Sequence, residues 1–544
     1  MARRQRSRAP AQAALIALLG LVAATAGCAP EVEGAPAPDR SEPGLQPVET
    51  PVLLAPPPTV PEAPEPDPEL VRRGERLTAA FRAKIARWTE EARKQSKGKA
   101  DAGNVHVSVA VRELGSRHDL VLLRADEVRR PASNLKLVTT AAALVLLGRG
   151  ATWVTPVEAV GAIRDGTLEG DLVVRAGGDP LCDPEGQGRV EERLDALAQQ
   201  LHEGGLRRVI GALVLDEGTF ADPAPGPAWP DPSQRWAEYC ALSGGFSANG
   251  GVLHALVRAG RPGGEASIEV HPSPHGLKSD YGVRTEAGTA VDVRVGATAT
   301  TATVRGRIGQ GLGQYEAEFA HPDPVRHFGE LLRAALRSAG IAVDGELRRE
   351  RGVAHGVRLA ELRSPLADCL APINAESRNG IADQVFLSLG ASVCGAGTRE
   401  AGARAVAMAL ERLGVPASSI VQVDGSGLSR DNRVSARAIV ALLERVLGAD
   451  PETARLYRDS LAVAGQTGTL EDRLGGTHAE GRVHAKTGWI AGVSALSGLA
   501  EPEDGRPVVF SILVEYPSAL SGLNSGVFKK LQDELVLELF EGDP

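Results

Sequence analysis

A serine and a lysine three residues apart could act as a nucleophile and its base. Ser133 and Lys136 stand in the segment PASNLKLVTT, which the apolar run AAALVLLG follows. On a helix, side chains with this spacing share one face. A serine becomes a good nucleophile when a base removes its proton, and a buried lysine can be that base. The pair alone is weak evidence, because a solvated lysine on a helix is the commoner arrangement.

Two later segments carry side chains of related chemistry. NAESRNGIADQ contains Ser377, which could relay a proton, and Asn379, which could orient a substrate amide. HAKTGWIAGVSALSG contains Lys486 and Thr487, which could bind a carboxylate. Gly488 follows them and would let another backbone approach closely. Each motif is weak alone, but S-x-x-K, S-x-N and K-T-G in this order form a known set.

With these motifs, the chain resembles the D-alanyl-D-alanine carboxypeptidase/endopeptidase family. This is peptidase family S13, the class C low-molecular-mass penicillin-binding proteins. The resemblance runs from about residue 70 to 540 and includes GDLVVRAGGDPLCD (170–183) and AGQTGTLEDRL (464–474). The most family-specific piece is D-G-S-G-L-S within VDGSGLSRDNRVSA (423–436).

The resemblance implies catalytic roles for four residues. Ser133 would be the acylated nucleophile and Lys136 its base. Ser377 and Asn379 would form the second motif, in which Ser377 helps to protonate the leaving D-alanine. No metal and no organic cofactor is needed for this chemistry. The absence of C-x-x-C or a Cys/His cluster with zinc spacing fits that expectation.

The resemblance also implies a substrate-binding strand. Lys486 and Thr487 would bind the terminal carboxylate, with Gly488 beside them. The backbone N–H groups of Ser133 and Trp489 would form the oxyanion hole. Trp489 departs from the family pattern, in which a small or hydroxylated residue follows K-T-G, and its ring could narrow the cleft.

The implied function is a serine-type D-Ala-D-Ala carboxypeptidase or endopeptidase. It would act on peptidoglycan stem peptides and cross-links, and β-lactams would acylate Ser133 as covalent inhibitors. Two alternatives stay open. A β-lactamase-like hydrolase would need a deacylating glutamate, and none is evident. A non-catalytic envelope scaffold has only Trp489 in its favour.

Several neighbouring residues have structural or undecided interpretations. Arg378 stands where an aspartate is common, and it could favour an acidic substrate group or simply face solvent. Asp424 and Ser426 are expected to shape a loop beneath the site. His484 should point to the same side as Lys486, with a structural role. The segment WPDPSQRWAEYC (229–240) corresponds loosely to a loop that reads the stem peptide.

The N-terminus predicts an exported protein. Residues 1–28 have four arginines, a short apolar run and small residues before Cys28, as in a bacterial lipoprotein signal. Cys28 would then be lipidated, and an ordinary cleaved signal is the alternative. Residues 29–68 are rich in Pro and Glu and predict a disordered linker. The expected location is the periplasm or cell envelope, with attachment to a membrane through the lipid.

Composition fits a large globular protein of 544 residues. Hydrophobic residues make up 43% and charged residues 24%, and the net charge of −9 argues against general nucleic-acid binding. Without Cys28, four cysteines remain. Their sequence order suggests the pairs Cys369–Cys394 and Cys182–Cys240, and buried free thiols are an equal alternative.

The expected fold class is α/β (α+β). A penicillin-binding transpeptidase-like domain, with an antiparallel sheet, helices on both faces and a helical subdomain, would comprise residues 69–150 and 357–544. The resemblance implies two nested insertions, domain II (151–262 and 310–356) and a β-rich domain III (263–309). Periodicity predicts helices at 133–148, 327–341, 379–390 and 400–413, and paired strands at 494–501 and 507–516.

Overall fold

The computed structural model describes residues 44–46, 67–116, 118–183 and 188–541. The predicted signal peptide and the lipidation site Cys28 lie outside these residues. Among the helices that the structure describes, none is long and apolar enough to cross a membrane.

The helices, in chain order, are α1 (Pro68–Gln95), α2 (Leu135–Leu147), α3 (Arg189–Glu203), α4 (Pro324–Ser338), α5 (Ala367–Asn374), α6 (Asn379–Cys394), α7 (Arg399–Leu413), α8 (Ala436–Leu447), α9 (Pro451–Asp459) and α10 (Lys529–Glu538). A short 3₁₀ turn, Ala132–Asn134, leads directly into α2. Sequence periodicity therefore located α4, α6 and α7 to within a few residues.

The strands, in chain order, are β1 (Gly44–Gln46), β2 (His106–Glu113), β3 (Asp119–Leu123), β4 (Val128–Arg129), β5 (Thr152–Arg164), β6 (Thr167–Arg175), β7 (Arg208–Val209), β8 (Leu213–Asp216), β9 (Val252–Arg258), β10 (Ser267–His271), β11 (Lys278–Glu286), β12 (Val291–Ala297), β13 (Thr301–Gly309), β14 (Gln314–Ala320), β15 (Ala342–Val343), β16 (Leu347–Glu350), β17 (Val357–Pro365), β18 (Ile420–Val421), β19 (Arg433–Ser435), β20 (Ala462–Val463), β21 (Val483–Ile490), β22 (Val493–Ala500) and β23 (Val508–Glu515).

One antiparallel sheet carries the K-T-G motif. Its strand order is β20-β21-β22-β23-β2-β3, so β2 from the N-terminal half pairs with β23 near the C-terminus. Helices cover both faces of this sheet. On β23, Val509 and Leu513 join the core around α2 and α8, while Phe510 and Ile512 join the core around α1 and α10. This alternation follows from the two-residue period of a strand.

The helix α2 is buried along its whole length. All its residues from Leu135 to Leu147 are inaccessible, including Lys136 and two threonines. A helix that is apolar on every side has to be surrounded by other elements. Here α6, α7, α8 and the sheet surround it, so Lys136 starts the helix inside the protein rather than on a wet face.

The chain between α2 and α5 builds a second sheet. The long hairpin β5–β6 is its centre; β17 pairs with β5, and β6, β8 and β16 lie parallel to one another. Helices α3 and α4 pack together against it around a separate core. Since β17 reaches Pro365, this sheet extends beyond the predicted boundary at residue 356.

A β-rich module lies within that segment. Strands β10-β9-β14 form one small sheet and β11-β13-β12 another, and both contribute to one core. The strands of this module run from Val252 to Ala320, and the predicted bounds of domain III, 263–309, stay a prediction. A smaller deviation affects the predicted linker: Gly44–Gln46 pair with β5 as a three-residue edge strand.

The cysteines do not pair as sequence proximity suggested. Cys182 Sγ lies 2.8 Å from Cys369 Sγ. Both predicted pairs, Cys369–Cys394 and Cys182–Cys240, are therefore wrong, and the four described cysteines are free thiols, as the alternative stated. The folding of the chain between β6 and α5 brings together two residues that are distant in sequence, which local spacing cannot reveal.

Candidate active site

Lys136 contacts both Ser133 and the second motif. Its Nζ atom lies 3.1 Å from Ser133 Oγ, 2.6 Å from Asn379 Oδ1 and 2.7 Å from the carbonyl oxygen of Ser426. A neutral amine has two N–H donors and one lone pair. Two donors to Asn379 and Ser426 would leave the lone pair free to accept the Ser133 hydroxyl proton. The three contacts therefore match a lysine that can act as a base.

Burial makes the neutral form of Lys136 accessible near neutral pH. The side chain is fully inaccessible, and loss of hydration lowers its pKa from the usual value near 10.5 to about 7. The negative charges of Asp383 and Asp424 oppose this shift. The sequence alone posed the choice between a solvated and a buried lysine, and the position of α2 resolves it.

The backbone before Ser133 is held in an unusual conformation. Ala132 has φ +46°, a left-handed value that a residue with a Cβ adopts at a cost of about 1–3 kcal/mol. A Cβ on Gly427 would lie only 1.9 Å from the carbonyl oxygen of Ala132, so position 427 has no room for a side chain. Ser133 itself remains partly exposed between buried neighbours. The hydroxyl is therefore presented toward solvent from a closely packed turn.

The loop that precedes α6 places the second motif beside Lys136. Asn379 accepts from Lys136 and donates through Nδ2 to the carbonyl oxygen of Tyr239 at 2.9 Å. Ser377 has φ +70° and lines, together with Asn379, a cavity of about 230 Å³. Asn379 thus joins the nucleophile's helix to the 229–240 segment.

Arg378 does not face open solvent. Its guanidinium forms ion pairs with Glu318 on β14 and, at 3.2 Å, with Glu376. These carboxylates raise the pKa of Arg378 although burial, the largest effect, lowers it. The solvent-facing interpretation is therefore wrong, whereas recognition of an acidic substrate group stays a prediction, because Arg378 lines the same cavity as Ser377 and Asn379. The residue connects the second-motif loop to the β-rich module, a contact that no local pattern encodes.

The K-T-G strand lies against the Ser133 turn. Asn134 donates through Nδ2 to the carbonyl oxygen of Lys486 at 2.9 Å, and its Oδ1 accepts from Ser497 at 2.5 Å. A Cβ on Gly488 would lie 2.9 Å from the carbonyl oxygen of Pro131, so only glycine permits this approach. The strand β21 is thereby fixed next to the nucleophile's turn.

The two polar side chains of K-T-G differ in exposure. Lys486 is fully buried, and burial together with the nearby charge of Lys136 holds its pKa well below the usual value. Its Nζ donates to the carbonyl oxygen of Thr487 at 3.2 Å. Thr487 is partly exposed. Two buried lysines in one enclosed site disfavour each other's charged form, and a bound anionic group would favour it.

Trp489 follows the K-T-G motif on β21 and is largely exposed. Its side chain is 60% exposed and hydrogen-bonds the hydroxyl of Tyr516. Gly488 and Trp489 are consecutive residues of β21, opposite Ala495 and Ser494 on β22, so they face opposite sides of the sheet. The indole therefore projects from the face opposite the one that approaches Pro131. His484, by the same register, shares a face with Lys486, and its Nε2 lies 3.5 Å from Glu501.

The sequence did not single out Asp383. This buried carboxylate accepts hydrogen bonds from the backbone N–H groups of Gly425 and Ser426, at 2.7 and 2.9 Å. Its other oxygen has no hydrogen-bond partner among the described residues. Burial and the charge of Asp424 raise the pKa of Asp383 to about 7. Asp383 therefore holds the turn whose carbonyl oxygen contacts Lys136.

Asp424 shapes the D-G-S-G-L-S loop, as the sequence suggested. Its carboxylate accepts from the backbone N–H groups of Gly427 and Ser429 and from Trp229 Nε1. The role of Ser426 is more direct than expected, because its carbonyl oxygen contacts Lys136. Among the described residues no group of acidic, histidine and cysteine side chains could hold a metal ion.

Comparison with known proteins identifies the family to which the chain belongs. The family model "D-Ala-D-Ala carboxypeptidase 3 (S13) family" matches residues 97–528. A D-alanyl-D-alanine carboxypeptidase from Actinomadura sp. (strain R39) is 34% identical over 426 residues, 74% of this chain and 77% of that protein. The D-alanyl-D-alanine carboxypeptidase DacB of Haemophilus influenzae is 26% identical over 396 residues, 70% of this chain and 79% of that one.

A solved structure has the same fold. The crystal structure of penicillin binding protein 4 (dacB) from Haemophilus influenzae superimposes with a TM-score of 0.67 at 23% identity, covering 81% of this chain and 97% of that chain. The match at the level of the fold agrees with the antiparallel sheet, its flanking helices and the buried helix α2. The chain belongs to the D-Ala-D-Ala carboxypeptidase 3 (S13) family of serine peptidases with the penicillin-binding protein fold.

Proposed function

We propose that the chain cleaves peptidoglycan stem peptides next to a terminal D-alanine, through an acyl-enzyme on Ser133. The observation that carries this proposal is the set of three contacts around Lys136 Nζ. They place a base of lowered pKa against the Ser133 hydroxyl and against Asn379. Substrate class follows from the family and from relatives named D-alanyl-D-alanine carboxypeptidase.

Acylation begins when Lys136 removes the hydroxyl proton of Ser133 and the oxygen attacks the carbonyl carbon of the penultimate D-alanine. The backbone N–H groups of Ser133 and Trp489 stabilise the oxyanion. The Ser377 hydroxyl relays the proton to the leaving amine, so free D-alanine departs. Water then hydrolyses the ester: Lys136 takes a proton from the attacking water and gives it to Ser133 Oγ as the ester bond breaks, which restores the free hydroxyl.

Recognition of the chain terminus rests on Lys486 and Thr487 of β21. Binding of the terminal carboxylate would favour the protonated form of the buried Lys486, and the partly exposed Thr487 supplies a hydroxyl to that carboxylate. An internal cross-link, D-alanyl–diamino acid, presents a carboxylate next to the scissile amide as well. Endopeptidase cleavage therefore uses the same residues.

β-Lactams react at the same serine because their strained amide and adjacent carboxylate match the peptide terminus. A crystal structure of penicillin binding protein 4 (dacB) from Haemophilus influenzae in complex with a β-lactam supports this assignment. Among the described side chains around Lys136, the carboxylates are Asp383 and Asp424. Both already accept backbone N–H groups, which favours slow deacylation over β-lactamase turnover.

We further propose that the first 28 residues direct export and that Cys28 is lipidated, so that the enzyme works in the cell envelope on a membrane tether. The signal-like composition of the N-terminus supports this. A Cys28→Ala variant should move from the membrane fraction to the soluble envelope fraction. Unchanged membrane attachment of that variant would contradict the lipid anchor.

The test of the catalytic proposal uses the full chain, fluorescent penicillin and a pentapeptide ending in D-Ala-D-Ala. Stable labelling and D-alanine release are expected, and both should vanish in Ser133→Ala. The exposed Ser521→Ala is a matched control that should keep them. Rapid turnover of penicillin would instead indicate a β-lactamase, and absence of any labelling would reject an active serine.

A further inference from the structure

Two cysteines from distant parts of the chain are in contact with each other. Cys182 belongs to the turn that follows β6, and Cys369 lies in α5, with their sulfur atoms 2.8 Å apart. Cys240 and Cys394, the other cysteines in the described part of the chain, have no sulfur atom at such a distance. One pair of thiols is thus singled out by the fold.

Helix α5 leads from one of these cysteines to the second motif. It begins at Ala367 and ends at Asn374, three residues before Ser377. Cys369 is 1% exposed and packs in the core around α2. A restraint on Cys369 therefore acts on the helix that delivers the Ser377 loop.

The turn around Cys182 reaches the other end of that loop. The carbonyl oxygens of Pro180 and Leu181 accept from the backbone N–H groups of Gly250 and Asn249, at 2.8 and 2.9 Å. The carbonyl oxygen of Gly250 would lie 2.0 Å from a Cβ on Gly380, so the two backbones are in direct contact. Gly380 follows Asn379. The segments that carry the two cysteines therefore adjoin the two ends of residues 377–379.

We propose that Cys182 and Cys369 form a disulfide that ties the segment between α2 and α5 to helix α5 and thereby holds the Ser377–Asn379 loop in place. Two thiols already in contact need little movement to be bridged. An oxidising envelope compartment would favour the bond. The pairing stands on this geometry, whereas its value to catalysis rests on the proposed function.

The oxidation needs a disulfide as electron acceptor, and a glutathione-type disulfide suffices. Cys182 is the partly exposed thiol and attacks first, forming a mixed disulfide and releasing one thiol. Cys369 then loses its proton and attacks Cys182 Sγ, releasing the second thiol. Two cysteines lose two electrons and two protons, and the acceptor becomes two thiols. Burial raises the pKa of the Cys369 thiol, so Cys369 reacts more slowly than Cys182 with an external disulfide.

The bond would close a long loop of chain. Closing long loops restricts the unfolded chain strongly, and typical disulfides of this kind raise the thermal midpoint of a chain this size by about 3–6 °C. The reduced protein should also open more readily around residues 374–384. Hydrogen exchange of that segment should be faster by about tenfold in the reduced form.

The experiment incubates the full chain with oxidised glutathione, blocks free thiols under denaturing conditions and maps the peptides by mass spectrometry. The expected product links the peptides of Cys182 and Cys369 and leaves Cys240 and Cys394 alkylated. Alkylation of all four, or a link between other cysteines, would overturn the pairing. Wild-type protein suffices for this measurement, so it does not depend on a variant that folds.

A second measurement tests whether the disulfide restrains the Ser377–Asn379 loop, which is a separate question from whether the two cysteines pair. Thermal midpoint and hydrogen exchange are compared with and without a dithiol reductant, in the wild type, in Cys182→Ser and in the control Cys394→Ser. The reductant should lower the midpoint in the wild type and the control but leave Cys182→Ser unchanged. A linked wild type whose midpoint and exchange do not respond to reduction would overturn the proposed restraint. Penicillin labelling of the same samples tests the proposed function independently.

Discussion

The buried carboxylate of Asp383 offers a direct test of how the protein sets the pKa of Lys136. Asp383→Asn keeps the shape and an oxygen that can accept from the Gly425 and Ser426 N–H groups, but it removes the ionisable group. A negative charge stabilises the ammonium form of lysine. Loss of that charge therefore lowers the pKa of Lys136, and the free base appears at lower pH.

The size of the shift follows from the contacts. Asp383 Oδ1 is 2.9 Å from Ser426 N, and Ser426 O is 2.7 Å from Lys136 Nζ. Such a path puts the two charges about 7 Å apart. At an effective dielectric constant of about 20, their attraction is about 2.4 kcal/mol, which corresponds to a shift of about 1.7 pKa units for Lys136. Because the pKa of Asp383 is itself about 7, the carboxyl is only partly ionised, and we expect about one unit.

The assay is the rate of penicillin acylation measured from pH 5 to 10. Near-ultraviolet circular dichroism checks that the protein stays folded at each pH. The wild type should rise through an apparent midpoint near 7, which belongs to the coupled pair of Lys136 and Asp383. Asp424 and Lys486 also face this site and stay unchanged in the variant. Asp383→Asn should move the midpoint about one unit to the acid side.

A matched control separates this effect from general changes in charge. Asp472 is exposed, and Asp472→Asn should leave the midpoint where it is. An unchanged midpoint in Asp383→Asn, or a shift to the alkaline side, would refute the electrostatic reasoning. A variant that loses acylation at every pH while remaining folded would show that Asp383 acts through the turn at residues 425–426 alone.

Three further substitutions test the packing of the site. Gly488→Ala should slow penicillin acylation at least about tenfold, because its Cβ would press on the carbonyl oxygen of Pro131; a normal rate would contradict the required close approach. Asn134→Ala should lower the free energy of unfolding in urea by about 1–3 kcal/mol, since Lys486 loses a donor and Ser497 an acceptor; an unchanged midpoint would contradict this. Trp489→Ser should acylate within about threefold of the wild type, because only the backbone N–H of Trp489 serves the oxyanion; a tenfold loss would assign the indole itself a role.

The motif residues could be predicted because their spacing carries chemistry. Ser133 and Lys136 need only one helical turn to meet, and the family resemblance supplied the order of the remaining motifs. The structure brings Lys136 to Asn379 and Asn134 to Lys486. Helices and strands were also predictable, since α4 is strongly amphipathic and β23 is a short apolar run of strand length.

Contacts between distant segments could not be predicted in the same way. Arg378 pairs with Glu318 in the β-rich module, and Cys182 meets Cys369, yet nothing near these residues in sequence marks the partner. Asp383 escaped notice because a lone aspartate in a helix is usually solvated. Its importance comes from burial and from two N–H groups that the D-G-S-G-L-S loop presents to it.

The pairing of β2 with β23 has a consequence for the making of the enzyme. His106 finds its partner Glu515 only when almost the whole chain has been synthesised, and β21, with Lys486, also comes late. Contacts so distant in sequence form slowly and cannot form on an incomplete chain. Ser133 is thus synthesised early, but its site is complete only when the C-terminal strands have been added. An incomplete chain therefore lacks the assembled site.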